Sequence, residues 1–99
     1  MKTKIVEVEL DGTKVPFKLK ELTFGEYNVI MTESAKISIS GEGSVDSGKF
    51  FELVLFYSIV EPAEYRQNRE KIQSLPVAVA YELANTALEL SGLSGKKNK

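Results

Sequence analysis

The sequence predicts an α+β fold, in which an N-terminal β-hairpin packs on about three α-helices and the middle helix is central and mostly buried. Three observations lead to this prediction. Two alternating segments flank Asp11-Gly12, residues 50–60 (FFELVLFYSIV) are almost wholly apolar, and apolar residues recur at helical spacing over 77–90. We expect residues 1–93 to form a single α+β domain and residues 94–99 to form a flexible basic tail.

The turn of the N-terminal hairpin sets its register. Asp11-Gly12 suits a two-residue turn in which both central residues have positive φ, so that Leu10 faces Thr13. A slip by one residue would put the valines of both strands in water. The register therefore places these residues opposite each other: Glu9 and Lys14, Val8 and Val15, Val6 and Phe17. Because Pro16 cannot donate to a ladder, we expect the second strand to be an edge strand, with the nitrogen of Pro16 facing outward.

The first predicted helix begins at a capping box. Thr23 and Glu26 have the spacing at which the Thr hydroxyl and the Glu carboxylate reciprocally satisfy backbone donors. The helix should run to about Ala35, and an apolar stripe along it indicates a core face: Phe24, Tyr27, Ile30 and Met31. Residues 37–48 (ISISGEGSVDSG) are rich in glycine and serine, so we expect a mobile loop in which Ile37 and Ile39 form a short extended piece.

The second predicted helix carries the apolar run 50–60. Asp46 or Ser47 can cap its start, and Pro62 ends it, since the residue before a proline avoids helical geometry. The aromatic and β-branched content also suits a buried strand, but the cap signal and the lack of alternation favour a helix. Apolar residues occupy two of its faces, so we expect this helix to be covered on more than one side.

The last predicted helix begins near Ser74 and Pro76 and ends at Gly92. One stripe along it is made of small and apolar residues: Val77, Ala80, Tyr81, Ala84, Ala87 and Leu88. Small residues in such a stripe let another helix approach closely. The polar segment 61–74 before it should form a connection with a helical turn over 63–69.

Four aromatic or basic residues are candidates for binding a partner protein. Tyr65 and Arg66 lie in the polar connection, where we expect them to be exposed, and both residue types are enriched at interface hot spots. A plain solvated linker is the alternative interpretation of that segment. Phe56 and Tyr57 would be the aromatic surface that the central helix leaves over after packing. These four residues form the predicted partner-binding set.

Composition excludes several classes of function. The 99 residues carry a net charge of −1 and contain neither His nor Cys, which removes disulfides, thiol catalysis, Ser-His-Asp triads and the usual zinc sites. The scattered carboxylates form no recognisable acid/base pair, so we expect a protein that is not an enzyme and binds no metal. Near-neutral charge argues against nucleic-acid binding. No signal peptide or membrane span is visible, which predicts a cytoplasmic protein.

A glycine-rich loop before the second helix comes near a phosphate-binding pattern. Gly43 and Gly48-Lys49 have the spacing of GxxxxGK[ST], but Phe50 stands where the pattern needs a hydroxyl that binds magnesium. No buried parallel strand is predicted before the loop. We therefore expect no nucleotide and no other cofactor.

The order of these elements resembles the small tail assembly chaperones of long-tailed bacteriophages. The resemblance rests on residues 18–27 (KLKELTFGEY) after the hairpin, on the loop and apolar helix, and on a final helix that begins at Leu75-Pro76. It implies a non-enzymatic protein of the infected host cytoplasm that binds the tape measure protein, recruits tail tube subunits and is absent from the mature virion. It also allows homo-oligomers.

The family often occurs in two lengths produced by a programmed ribosomal frameshift. Lys96-Lys97-Asn98 could be encoded by a slippery A-AAA-AAC heptamer, so we expect a short form that ends at Lys99 and a longer form that diverges near Lys97. Two other classes stay open: a structural virion component, such as a baseplate or tail completion protein, and a small bacterial protein-interaction adaptor.

Overall fold

The computed structural model describes residues 1–37 and 43–93 and has the predicted α+β fold. Ile39, the tail 94–99 and the segment 96–98 that bears on the frameshift lie outside the described residues, so the predictions made for them stay predictions. The elements in chain order are β1 Thr3–Leu10, β2 Thr13–Lys20, α1 Phe24–Ser34, β3 Ala35–Ile37, β4 Gly43–Val45, α2 Ser47–Ser58, β5 Ile59–Glu61, a 3₁₀ turn Ala63–Tyr65, α3 Arg69–Gln73 and α4 Val77–Leu90.

The N-terminal hairpin has the predicted register in every pair, from Leu10 opposite Thr13 outward. Asp11 and Gly12 have φ values of 52° and 78°, as a turn with two left-handed residues requires. Val8 and Phe17 are buried on the inner face of the hairpin, while the alternate side chains face solvent. The hydrophobic pattern and the turn therefore specify the same pairing.

The prediction that β2 is an edge strand is wrong. The sheet has the order β1-β2-β5, and β5 pairs with β2 at Lys18 and Leu19, where the register shifts. The third strand escaped prediction because it pairs with β2 across a long sequence separation. Pro16 lies beyond the paired part of β5, so its missing N–H removes no hydrogen bond from the sheet.

Helix α2 is the centre of the fold, as predicted. It packs against α1, α3 and α4, and Leu53, Val54, Leu55 and Ser58 are its buried residues. The carboxylate of Asp46 caps it by accepting a 3.1 Å hydrogen bond from the backbone N–H of Lys49.

The predicted continuation of this helix to Val60 is wrong, since the helix ends at Ser58 and the chain becomes β5. Ile59 and Val60 are β-branched and suit either state. Pairing with β2 decides for the strand, because it buries Ile59 at 2% exposure and extends the sheet.

Helix α1 begins at the predicted capping box. Thr23 Oγ1 accepts from the backbone N–H of Glu26 at 3.1 Å, and a Glu26 carboxylate oxygen accepts from the N–H of Thr23 at 2.9 Å. The expected core stripe is only partly correct: Ile30 is fully buried, but Phe24 is 80% exposed. The buried residues of α1, Ile30 and Ser34, lie in its second half, which leaves its first residue uncovered.

The segment after α1 contains more structure than the predicted loop. Ala35–Ile37 and Gly43–Val45 form a two-stranded antiparallel sheet, so Ile37 belongs to an extended piece as predicted, while the strand 43–45 was not predicted. Residues 38–42, the middle of the predicted mobile loop, lie outside the described residues.

The connection to α4 contains two short helical pieces in place of the predicted turn over 63–69. Gln67 has a φ of 52° and separates the 3₁₀ turn from α3. Helix α4 begins at Val77 after Pro76, and Gly92 follows its end with a φ of 78°. Both of its ends agree with the prediction. No helix among residues 1–37 and 43–93 is long and apolar enough to cross a membrane.

Candidate partner-binding groove

An apolar groove opens on the surface between α2, α3 and the start of α4. Its volume is about 210 Å³. We call it the α2–α4 groove, and its lining residues are Gly48, Phe51, Glu52, Leu55, Ile72, Gln73, Leu75, Val77, Ala80 and Tyr81. Two of the apolar residues are open to solvent, Val77 at 68% and Tyr81 at 48% exposure. Such apolar surface beside a concave site is typical of interaction sites.

Aromatic rings connect the two long walls of the groove. The ring centroids of Phe51 on α2 and Tyr81 on α4 lie 5.0 Å apart, at an interplanar angle of 48°. Phe50 meets Phe51 edge to face at 5.6 Å. These distances are those of attractive aromatic pairs. The pairs therefore restrict the positions of the rings along the groove.

The polar corner of the groove is built on Glu52. One carboxylate oxygen accepts a 2.5 Å hydrogen bond from Nε of Arg69, and the other accepts from Nε2 of Gln73 at 3.1 Å. Partial burial raises the pKa of Glu52, but the hydrogen bonds from Arg69 and Gln73 and the charges of Arg69 and Lys49 outweigh it, so the pKa is lowered. The carboxylate is therefore ionised at neutral pH and ties α2 to α3 on one side of the groove.

The size of the groove limits what it can take. An apolar cavity of about 150 Å³ is large enough for a benzene ring. The α2–α4 groove is larger, so it has room for one large apolar side chain. The exposed Val77 and Tyr81 would contact the residues on either side of that inserted side chain. Anchors of this kind in desolvated pockets dominate the energy of many protein interfaces.

The structure brings together two of the four predicted partner-binding residues. The rings of Phe56 and Tyr57 are half-buried and meet edge to face with centroids 5.1 Å apart. Both pack against the core and neither lines the α2–α4 groove. Their role in binding stays a prediction.

The expected exposure of Tyr65 is wrong. This residue is 9% exposed, and its ring lies 5.1 Å from that of Phe17 in the core, with the ammonium of Lys71 at 5.5 Å from the ring centroid. The 3₁₀ turn directs the Tyr65 side chain inward, onto the inner face of β2. Arg66 is exposed as predicted and does not line the groove.

The groove residues were not among the sequence-predicted candidates. The sequence pattern places Val77 and Tyr81 in the core stripe of the last helix, since helical spacing alone does not show where that stripe leaves the core. The sequence does carry one sign that this side of the central helix reaches the surface: Glu52 is the one charged residue in the apolar run 50–60. Its partners Arg69 and Gln73 become visible only when α3 folds against α2.

No group of three or more acidic residues that could hold a metal ion occurs in the part of the chain that the structure describes. A second concave area of about 220 Å³ lies where the start of α1 meets the end of α4. Its lining residues are Leu22, Thr23, Phe24, Tyr27, Ser91 and Leu93.

Comparison with protein-family models gives no match, and comparison with curated proteins gives none. Among solved structures, the chain is similar to the crystal structure of the protein YqbN, with a TM-score of 0.54 and 18% sequence identity. The alignment covers 93% of this chain and 87% of YqbN. The fold of this chain is therefore one that has been observed in a crystal structure.

Proposed function

We propose that this protein is a tail assembly chaperone of a long-tailed bacteriophage. In this proposal it binds the tape measure protein and recruits tail tube subunits in the infected host cytoplasm. It is not an enzyme, needs no cofactor and leaves before the virion is complete. The observation that carries the proposal is the α2–α4 groove, with the exposed Val77 and Tyr81 at its margin. The resemblance of residues 18–27 and of the Leu75-Pro76 helix start supports the choice of family.

The groove suits a helical partner such as a tape measure protein. An amphipathic helix is held by a groove that receives its apolar side chains, and the partner keeps its polar face in water. The groove takes one large anchor, and the exposed surface of α4 covers the neighbouring turn of the partner helix. Covering that apolar surface keeps an unassembled tape measure protein from aggregating.

Co-expression with a tape measure fragment tests the proposal. The fragment should be soluble with the wild-type chain and insoluble without it. Val77→Asp places a charge at the groove on an exposed position, so the fold should be retained and the fragment should return to the insoluble fraction. Phe24→Asp is the matched control, because Phe24 is also an exposed apolar residue but lies outside the groove. A fragment that is equally insoluble with and without the wild-type chain would contradict the proposal.

Two further measurements separate the rival classes. A structural virion component would remain in purified particles, so mass spectrometry of virions should detect it, whereas the proposed chaperone should be missing. A bacterial adaptor would lack a phage context, so its gene would not neighbour a tail tube gene and a long tape measure gene.

A further inference from the structure

One carboxylate lies in the wall of the α2–α4 groove. Glu52 is the one charged residue among the described residues that line the groove. Its side chain is 17% exposed, so it is largely buried but still in contact with solvent. Gln73, which donates a 3.1 Å hydrogen bond to it, lines the groove as well. The wall of the groove therefore contains a hydrogen-bonded carboxylate beside aromatic and aliphatic side chains.

This carboxylate can accept more hydrogen bonds than the chain supplies. A carboxylate offers about four acceptor positions on its two oxygens. Arg69 and Gln73 occupy one position on each oxygen, and no other hydrogen bond to Glu52 occurs among the described residues. A side chain that fills the groove keeps solvent away from the other positions. It therefore leaves the charge incompletely bonded, at a cost in binding free energy, unless it donates a hydrogen bond itself.

The charges around Glu52 favour a neutral donor over a cation. Arg69 bonds to the carboxylate, and the positive charge of Lys49 also acts on it. A Lys or Arg side chain in the groove would bring a third positive charge to one negative charge, and burying an incompletely paired charge is costly. Other acidic residues on or directly before the three helices lie outside the lining: Asp46, Glu70, Glu82 and Glu89.

The size and the walls of the groove indicate the shape of this donor. Its volume of about 210 Å³ exceeds that of a cavity that holds a benzene ring, about 150 Å³. The rings of Phe51 and Tyr81 form part of its walls, so an inserted ring finds aromatic partners there. An indole ring is larger than benzene, carries one N–H donor and has no charge. It satisfies the volume, the aromatic walls and the carboxylate together.

We propose that the α2–α4 groove selects a tryptophan side chain of the partner, whose indole ring fills the groove and whose N–H donates to the carboxylate of Glu52. This inference rests on the proposed function, because it names the side chain that the partner helix inserts. A phenylalanine or leucine side chain would also enter the groove, but it would remove solvent from the carboxylate without replacing its hydrogen bonds. Glu52 therefore determines specificity in addition to tying α2 to α3.

Two isomeric probes test the hydrogen bond. Skatole is the tryptophan side chain capped by a hydrogen atom, and N-methylindole has the same atoms but carries its methyl group in place of the donor hydrogen. In NMR titrations of the full chain, skatole should shift the resonances of Leu55, Val77 and Tyr81. N-Methylindole should bind about tenfold more weakly, as expected for the loss of a hydrogen bond to a charged group. Because the isomers have nearly equal apolar surface, hydrophobicity does not produce such a difference.

The variant Glu52→Gln tests the acceptor. It removes the charge and keeps the shape of the side chain, so the preference for skatole should fall from about tenfold to about threefold or less. Glu64→Gln is the matched control, because Glu64 is exposed and lies outside the groove, and it should keep the full preference. The comparison of the two isomers on the wild-type chain needs no variant, so it remains valid if Glu52→Gln loosens α3.

Any of four results would overturn the inference. The isomers bind equally well; skatole shifts residues of the second concave area, such as Tyr27 and Leu93, in place of the groove; groove resonances do not move at the solubility limit of skatole; or Glu52→Gln keeps the full preference. None of these results depends on a tape measure fragment. A fragment that stays insoluble in the co-expression test contradicts the proposed function, whereas equal binding of the isomers contradicts only the choice of tryptophan.

Discussion

The backbone N–H of Leu22 donates a 2.8 Å hydrogen bond to the hydroxyl oxygen of Ser91. The same hydroxyl donates to the carbonyl of Ala87, also at 2.8 Å. One side chain at the end of α4 therefore satisfies a backbone donor just before α1. This bond joins the end of α4 to the link between β2 and α1, close to the second concave area.

Ser91→Ala should lower the free energy of unfolding by about 1 kcal/mol, because the N–H of Leu22 is left without its partner in a half-buried position. Urea denaturation measures the change. Ser74→Ala is the control: its hydroxyl also bonds to a backbone carbonyl, that of Lys71, but the bond is local and exposed. Equal losses in the two variants would show that the contact between Leu22 and Ser91 adds nothing to stability.

Ser58→Ala should raise the free energy of unfolding by about 1 kcal/mol. The hydroxyl of Ser58 is fully buried at the end of α2 and has no hydrogen-bond partner among the described residues. Removing an unsatisfied buried polar group removes its desolvation cost. Ser34→Ala is the matched variant, since Ser34 is equally buried but donates to the carbonyl of Ile30 at 2.6 Å. Thermal and urea unfolding should show a gain for Ser58→Ala and none for Ser34→Ala.

Ala84→Leu should destabilise the fold by about 1 to 3 kcal/mol, because it forces extra volume into the contact between α2 and α4. Ala84 is fully buried on α4. Ala78→Leu is the control on the exposed side of the same helix, where the change alters helix propensity little. Unfolding in urea compares the two variants with wild type. A loss in Ala78→Leu as large as in Ala84→Leu would contradict close helix packing as the cause.

The free energy of unfolding should decrease as the pH is lowered, because two glutamates that stabilise the fold in their ionised form become protonated. Partial burial raises the pKa of Glu26, but hydrogen bonds from the backbone of Thr23 and from Lys20 outweigh it, so the pKa is lowered, as it is for Glu52. A lowered folded-state pKa means that the ionised group stabilises the fold above its ordinary pKa. This stabilisation is lost as the pH falls through the lowered value.

The double variant E26Q/E52Q should therefore lose less stability than wild type between neutral and acid pH. Urea denaturation across that range measures the difference. Glu64→Gln, which replaces an exposed carboxylate, should follow the wild-type profile. Parallel pH profiles of wild type and the double variant would show that neither glutamate carries the effect.

The hairpin and the helix starts could be predicted because local sequence determines them. Asp11-Gly12 sets the turn, and the turn sets every cross-strand pair. The side chain of Thr23 caps α1 by accepting a hydrogen bond from Glu26, only three residues further along the chain. The end of α2 could not be predicted in this way. Ile59 suits a helix or a strand, and the choice depends on its pairing with Leu19, which lies far away in sequence.

Dependence on long-range contacts also explains why the predicted site residues are not the residues that line the groove. Tyr65 is a tyrosine in a polar segment, and its burial is decided by the distant Phe17. The groove needs α3 and α4 to approach α2, so Glu52 and Tyr81 become neighbours of one cavity only in the folded chain. Local pattern identifies apolar faces, and tertiary packing decides which part of each face stays open.

Pro16 makes the two edges of the sheet unlike. The far edge of the sheet is formed by β5, which has three residues, and beyond its paired part β2 presents a proline that has no N–H to offer. The two edges of the sheet therefore differ: β1 presents eight residues of regular backbone, whereas the opposite side presents the three residues of β5 and then a proline. Edge-to-edge stacking of identical sheets needs two regular edges on every copy, so this asymmetry works against it.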